Sequence, residues 1–148
     1  MDRAGTTVPG DRLEAMSFLK NRTPQPTATR AWAAAALVDV VLILVFAAVG
    51  RDAHHRGDVV TGVLLTAWPF LLGAAAGWAA ARSWRNPFSP TRAGVPVWLG
   101  ALVGGMLLRA VTGQSVVLPF IIVATLSLAV LLLGYRLVAA LIRRRRHP

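Results

Sequence analysis

Four long apolar runs, separated only by short charged or proline-containing connections, leave this chain few ways to fold. The runs cover residues 31–50, 59–81, 94–111 and 116–142. A helix rises ~1.5 Å per residue, so a run of about 20 residues matches a hydrocarbon layer ~30 Å thick. An element of a water-soluble domain would alternate apolar and polar positions with a period of 2 or 3.6, because one of its faces meets water. These runs are blocked instead. With 55% hydrophobic residues in 148 and a mean hydropathy of +0.58, the expected fold class is all-α, an integral membrane bundle of four transmembrane helices. The first run is too long for a cleaved signal peptide, whose apolar region spans roughly 7 to 15 residues.

The charge pattern supports the same architecture and orients it. A net charge of +10 would suit a nucleic-acid partner if it lined a water-facing surface, but most of the basic residues lie in the tails and in one loop. Twelve of the sixteen Lys and Arg residues fall in the N-terminal tail, the 82–93 connection and the C-terminal tail. Three (Arg51, Arg56 and Arg109) belong to the opposite side, and Arg136 lies inside the fourth run. The positive-inside rule then predicts a multi-pass plasma-membrane protein with both termini in the cytoplasm. The expected partners are the lipid bilayer, anionic lipids at the basic 143–148 tail, and a membrane-protein partner or a second copy of the chain, with no nucleic acid.

Residues 1–30 are polar and rich in Pro and Gly, a composition that cannot bury enough surface to fold alone. They are read as a flexible cytoplasmic tail. Within it, residues 11–21 carry Leu13 and Met16 at helical spacing behind Asp11 and Glu14, a candidate short amphipathic helix on the inner membrane surface. Pro69 lies inside the second run, so a kink is expected near Thr66. Trp32, Trp84 and Trp98 lie near the inner ends and read as interfacial anchors, whereas Trp68 and Trp78 lie deeper.

The small-xxx-small pairs Gly73/Gly77 and Gly100/Gly104 mark a close helix contact, since packing replaces the hydrophobic drive in lipid. Contact between the second and third helices of one chain is favoured over contact between protomers, because a short connection already brings those helices together.

Asp39 is the main candidate for a functional group, because a carboxylate well inside a membrane helix is costly unless it is paired or neutralised. It lies ~12 Å from the inner boundary, and Arg136 on the returning fourth helix lies ~9 Å from it. Arg109 lies ~22 Å in, and its side chain more naturally snorkels outward toward Asp52 or Asp58. Asp39 with Arg136 is therefore ranked above Asp39 with Arg109. The pair is read first as a structural charge that fixes helix register, and second as a titrating or cation-binding group. His54 and His55, flanked by Asp52 and Asp58, form too sparse a set for a metal centre and read as a solvated turn.

No cysteine is present, and the sequence contains no hydrolase elbow, phosphate loop, HExxH or paired acids at catalytic spacing. No catalytic, cofactor or metal residues are assigned. The expected function is that of a scaffold or accessory subunit in a membrane complex. The alternative is a small proton- or cation-linked transporter or channel using Asp39 with Arg136 or Arg109.

Several motifs taken as a set carry a resemblance. They are Asp39 with Phe46-Ala-Ala-Val-Gly-Arg51 and His54, Thr66-Ala-Trp-Pro-Phe70 with Gly73 and Gly77-Trp78, Gly105-Met-Leu-Leu-Arg109 with Thr112-Gly-Gln114, and Phe120-Ile-Ile-Val-Ala124 with Leu133-Gly-Tyr-Arg136. From about residue 31 to 141 the chain resembles the small bacterial and archaeal membrane proteins of the family called domain of unknown function 3054. That family often carries Trp where this chain has Tyr135. The resemblance implies the four-helix fold and the membrane location and carries no activity. It points to Asp39, Arg51, His54, Arg109 and Arg136 as the polar residues of interest, and the Ala, Gly and Arg richness suits an actinobacterial source.

Overall fold

The computed structural model describes residue 10 and residues 26–52 and 58–146. The 11–21 segment, His54 and His55 lie outside the described residues. Four long helices account for most of the rest: α1 (Pro26–Asp52), α2 (Val59–Ala80), α3 (Pro90–Val111) and α4 (Leu118–Arg146). Each is long and apolar enough to cross a membrane, and no strand occurs among the described residues.

Helix ends depart from the hydropathy runs where local chemistry extends a helix beyond its apolar part. Helix α1 starts at Pro26, a residue suited to a first turn because its missing N–H needs no partner there. Helix α3 starts inside the expected 82–93 connection. Ser89 caps it by accepting the Arg92 backbone N–H at 3.2 Å, and Pro90 follows at the first helical position. Helix α4 continues through Arg146, so four residues assigned to the basic tail form its last turn, where cations complement the helix dipole. Helix α2 runs through buried Pro69 without interruption in its 22 residues.

Helix α3 is not uniform. Wider π turns, Pro90–Gly94 and Gly100–Gly104, alternate with α segments Val95–Leu99 and Gly105–Val111. The second π turn carries the glycines that meet α2. A Cβ on Gly73 would clash with the Gly100 carbonyl oxygen, and a Cβ on Gly104 would approach the Gly73 Cα to 2.8 Å. Gly77 faces the Pro96 carbonyl in the same way. These two helices of one chain thus pack backbone to backbone, as small residues allow in the absence of a hydrophobic drive. The first π turn brings Gly94 against α4, where an added Cβ would lie 3.0 Å from the Arg136 Cδ.

The side chains are distributed inside out relative to a water-soluble bundle. Large apolar residues such as Leu37, Val41, Leu65, Val103, Leu126 and Val130 face outward. The interior holds alanines 35, 47, 67, 74, 93, 101 and 124 together with the charged residues Asp39, Arg109 and Arg136. A surface this apolar has no stable exposure to water.

Candidate functional site

Asp39 belongs to the inward face of α1, with Ala35, Ile43, Phe46 and Ala47 at helical spacing along the same stripe. On α4, Ala124, Leu128, Leu132 and Arg136 recur every fourth residue and bury a matching stripe. The structure brings Asp39 and Arg136 together at 2% and 0% exposure. Arg136 Nη1 donates to Asp39 Oδ1 at 2.8 Å and Nη2 donates to Oδ2 at 2.6 Å, a two-pronged, charge-assisted pair.

Two further donors complete the carboxylate. The Tyr135 hydroxyl donates to Oδ1 and the Trp78 indole N–H donates to Oδ2, both at 2.8 Å. Each oxygen therefore accepts two hydrogen bonds, close to the limit of a carboxylate. The guanidinium is also engaged elsewhere: Nε donates to the Pro87 carbonyl at 3.0 Å and Nη1 to the Leu132 carbonyl at 2.9 Å. One acidic side chain thereby ties α1 to α2 and α4, and through Arg136 to the connection preceding α3. Asp39 also forms part of the wall of an apolar cleft of about 550 Å³ between α1 and α2, bordered by Trp32 and Trp84. Trp78, one of the donors to its oxygens, lines the same cleft.

The sequence reading did not place Trp78 or Tyr135 in this cluster. The available signals were an indole N–H inside the second apolar run that must find an acceptor, and a lone tyrosine next to Arg136 at the same depth. Trp98, expected at the interface, instead packs between helices and donates to the Thr125 carbonyl at 3.2 Å.

Arg109 is not part of this cluster. It lies at the other end of the bundle, where α1 and α3 finish and α2 and α4 begin. The expected outward reach toward Asp58 also fails, and the Asp52 side chain lies outside the described residues. Asp58 accepts from the Thr61 hydroxyl at 3.0 Å, and Arg109 is 8% exposed. Its Nη2 donates to the Ser115 carbonyl at 3.2 Å, its Cζ lies 4.5 Å from the centroid of the Phe120 ring, and its buried Nε has no partner. Leaving such a donor unsatisfied costs about 1–3 kcal/mol or more when the group is charged. Arg51 shares a cavity of about 560 Å³ with Arg109 and Thr66. Its guanidinium rests on Gly62 of α2, where it fills the position a Cβ would take.

The two polar sites are separated by an apolar core. Phe46, Phe70 and Phe120 pack edge-on and tilted, with centroids 5.3 to 6.5 Å apart. Together with buried Ile43, Ala124, Leu128 and Leu132 they fill the interior between Asp39 and the arginine cavity. Phe46 is seven residues beyond Asp39 on α1, about 10 Å along the axis.

The model of the family described as Protein of unknown function (DUF3054) matches residues 36–139, more than half of the chain. The chain belongs to the DUF3054 family. No curated protein and no solved structure matches it. The DUF3054 region contains Asp39, Trp78, Tyr135 and Arg136, and it equally contains Arg51, Thr66 and Arg109.

Proposed function

We propose that this DUF3054 protein is a multi-pass plasma-membrane protein with both termini in the cytoplasm, acting as a scaffold or accessory subunit of a membrane complex. The observation that carries this reading is the closed coordination of Asp39. With both oxygens doubly hydrogen-bonded and a guanidinium across them, the carboxylate offers no free oxygen to a cation. Such a group fixes helix register, and breaking its pair would leave a buried charge uncompensated. A conduction path through Asp39, Arg136 and Arg109 would also have to cross the phenylalanine core, which provides no polar step. The orientation rests on the twelve basic residues of the tails and the 82–93 connection.

The test uses the purified chain in liposomes, with proton and monovalent-cation flux measured for the wild type and for Asp39→Asn. Neither protein should conduct above empty vesicles. Wild-type flux that disappears in the variant would replace the scaffold reading with a transport one. In native membranes solubilised in mild detergent, the chain should migrate as part of an assembly larger than the one it forms when produced alone.

A further inference from the structure

The arginine cavity is the feature that the scaffold reading leaves without a purpose. Arg109 is more than nine-tenths buried, and its Nε points to no acceptor. Arg51 sits beside it in the same cavity. Among the described side chains the Asp39–Arg136 contact is the sole ion pair, so neither cavity arginine is matched by a described carboxylate. Two guanidiniums and the Thr66 hydroxyl in one recess make a donor set for a multivalent oxyanion, since the planar fork of arginine pairs with phosphate through parallel N–H donors.

The walls narrow the choice. Val49, Val117 and Val123 line the same cavity and are also 70%, 54% and 54% exposed on the outer surface of the bundle. The recess therefore opens sideways onto the apolar helix faces rather than only onto the loop end. A small hydrophilic anion has no use for such a wall, whereas a molecule with a charged head and hydrocarbon chains fits both parts. Basic pockets between membrane helices hold lipid head groups by this division of labour.

We propose that this cavity binds the phosphate group of an anionic phospholipid between Arg109 and Arg51, with the acyl chains laid along Val49, Val117 and Val123. The assignment rests on the membrane reading above and concerns the end of the bundle away from the basic tail, which is the outer leaflet in that orientation. The Gly62 seat positions Arg51, because any side chain there would displace the guanidinium.

The full-length chain, purified in a neutral detergent, is melted while phosphatidylglycerol, phosphatidylcholine or glycerol 3-phosphate is added. Phosphatidylglycerol should raise the midpoint with concentration, as a ligand selective for the folded state must. The concentration giving half the rise should increase about tenfold or more in Arg109→Gln, in Arg51→Gln and in Gly62→Ala, and stay unchanged when Arg143 to Arg146 are replaced by Gln. If Arg109→Gln does not fold, Arg51→Gln decides, since that side chain lies at the rim. An unchanged phosphatidylglycerol response in Arg51→Gln and Gly62→Ala overturns the site. Loss of the response only in the tail variant assigns it to the tail and also overturns the site. An equal effect of glycerol 3-phosphate makes the ligand a soluble phosphate and overturns the lipid assignment. Carbonate washing of membranes separates the two levels: release of the chain refutes the membrane reading, whereas retention with an unaltered lipid response refutes the cavity alone.

Discussion

The carbonyl oxygen of Gly100 lies within clashing distance of the point where a side chain on Gly73 would begin. This contact between two glycines, rather than any interlocking of large side chains, sets how closely α2 and α3 approach. Gly73→Ala must push the helices apart along a backbone that has no flexible end to move. The expected loss is about 1–3 kcal/mol, typical of overpacking. Thermal unfolding in detergent reads it, and a melting midpoint equal to that of the wild type would refute the tight contact. The same change at Gly134, inside α4 with open space around it, should be neutral or stabilising by up to about 1 kcal/mol.

Removal of one partner from the buried pair should cost more than removal of both. Asp39→Asn leaves Arg136 charged in the buried interior and should destabilise by about 3–5 kcal/mol. The double change Asp39→Leu with Arg136→Met removes the charge and should recover a large part of that loss. Unfolding free energies of the two variants decide, and a double variant less stable than Asp39→Asn would contradict the structural role given to the pair.

Trp78→Phe and Tyr135→Phe each keep an aromatic ring and delete one donor to Asp39. Hydrogen bonds to a charged acceptor contribute about 1.5–3 kcal/mol, so each variant should lose an amount in that range. The donors bind different oxygens of one carboxylate, so the losses should not add, and the double variant measures the coupling. Full additivity would mean that the two donors act independently of the shared acid.

The absence of cysteine makes the orientation directly measurable. Single cysteines introduced at residue 86 and residue 148 should be protected from an impermeant maleimide added to intact cells, whereas one at residue 113 should react. The opposite pattern would reverse the orientation read from the basic residues.

Much of the helix count follows from hydropathy, because a run of about 20 apolar residues has few structural options. The depths of Asp39 and Arg136 are also legible, since the rise per residue is fixed and both are counted from the same end of the bundle. Which donors complete Asp39 is not legible. Trp78 and Tyr135 depend on how α2 and α4 rotate about their axes, and in a helix apolar on every side hydropathy holds no phase. The start of α3 was hidden for a different reason. Pro90 and Arg92 read as loop residues, yet Ser89 capping and a π turn make them helical. The Arg109 cavity was hidden because an unmatched donor is a property of the assembled bundle. Acids expected at the same end of the bundle, Asp52 and Asp58, suggested partners, and Arg109 does not use Asp58.

The partners of the buried pair lie 97 residues apart in the chain. A ribosome adds about 5–20 residues per second, so a nascent α1 carries its acid for roughly 5–20 s before the matching cation is made. On the membrane reading, Asp39 must spend that interval hydrated at the translocation channel or shielded by another protein. Arrival of α4 is then the event that commits the bundle, and chains stalled before Tyr135 and Arg136 carry an unanswered charge by which a membrane protease can tell them from finished ones.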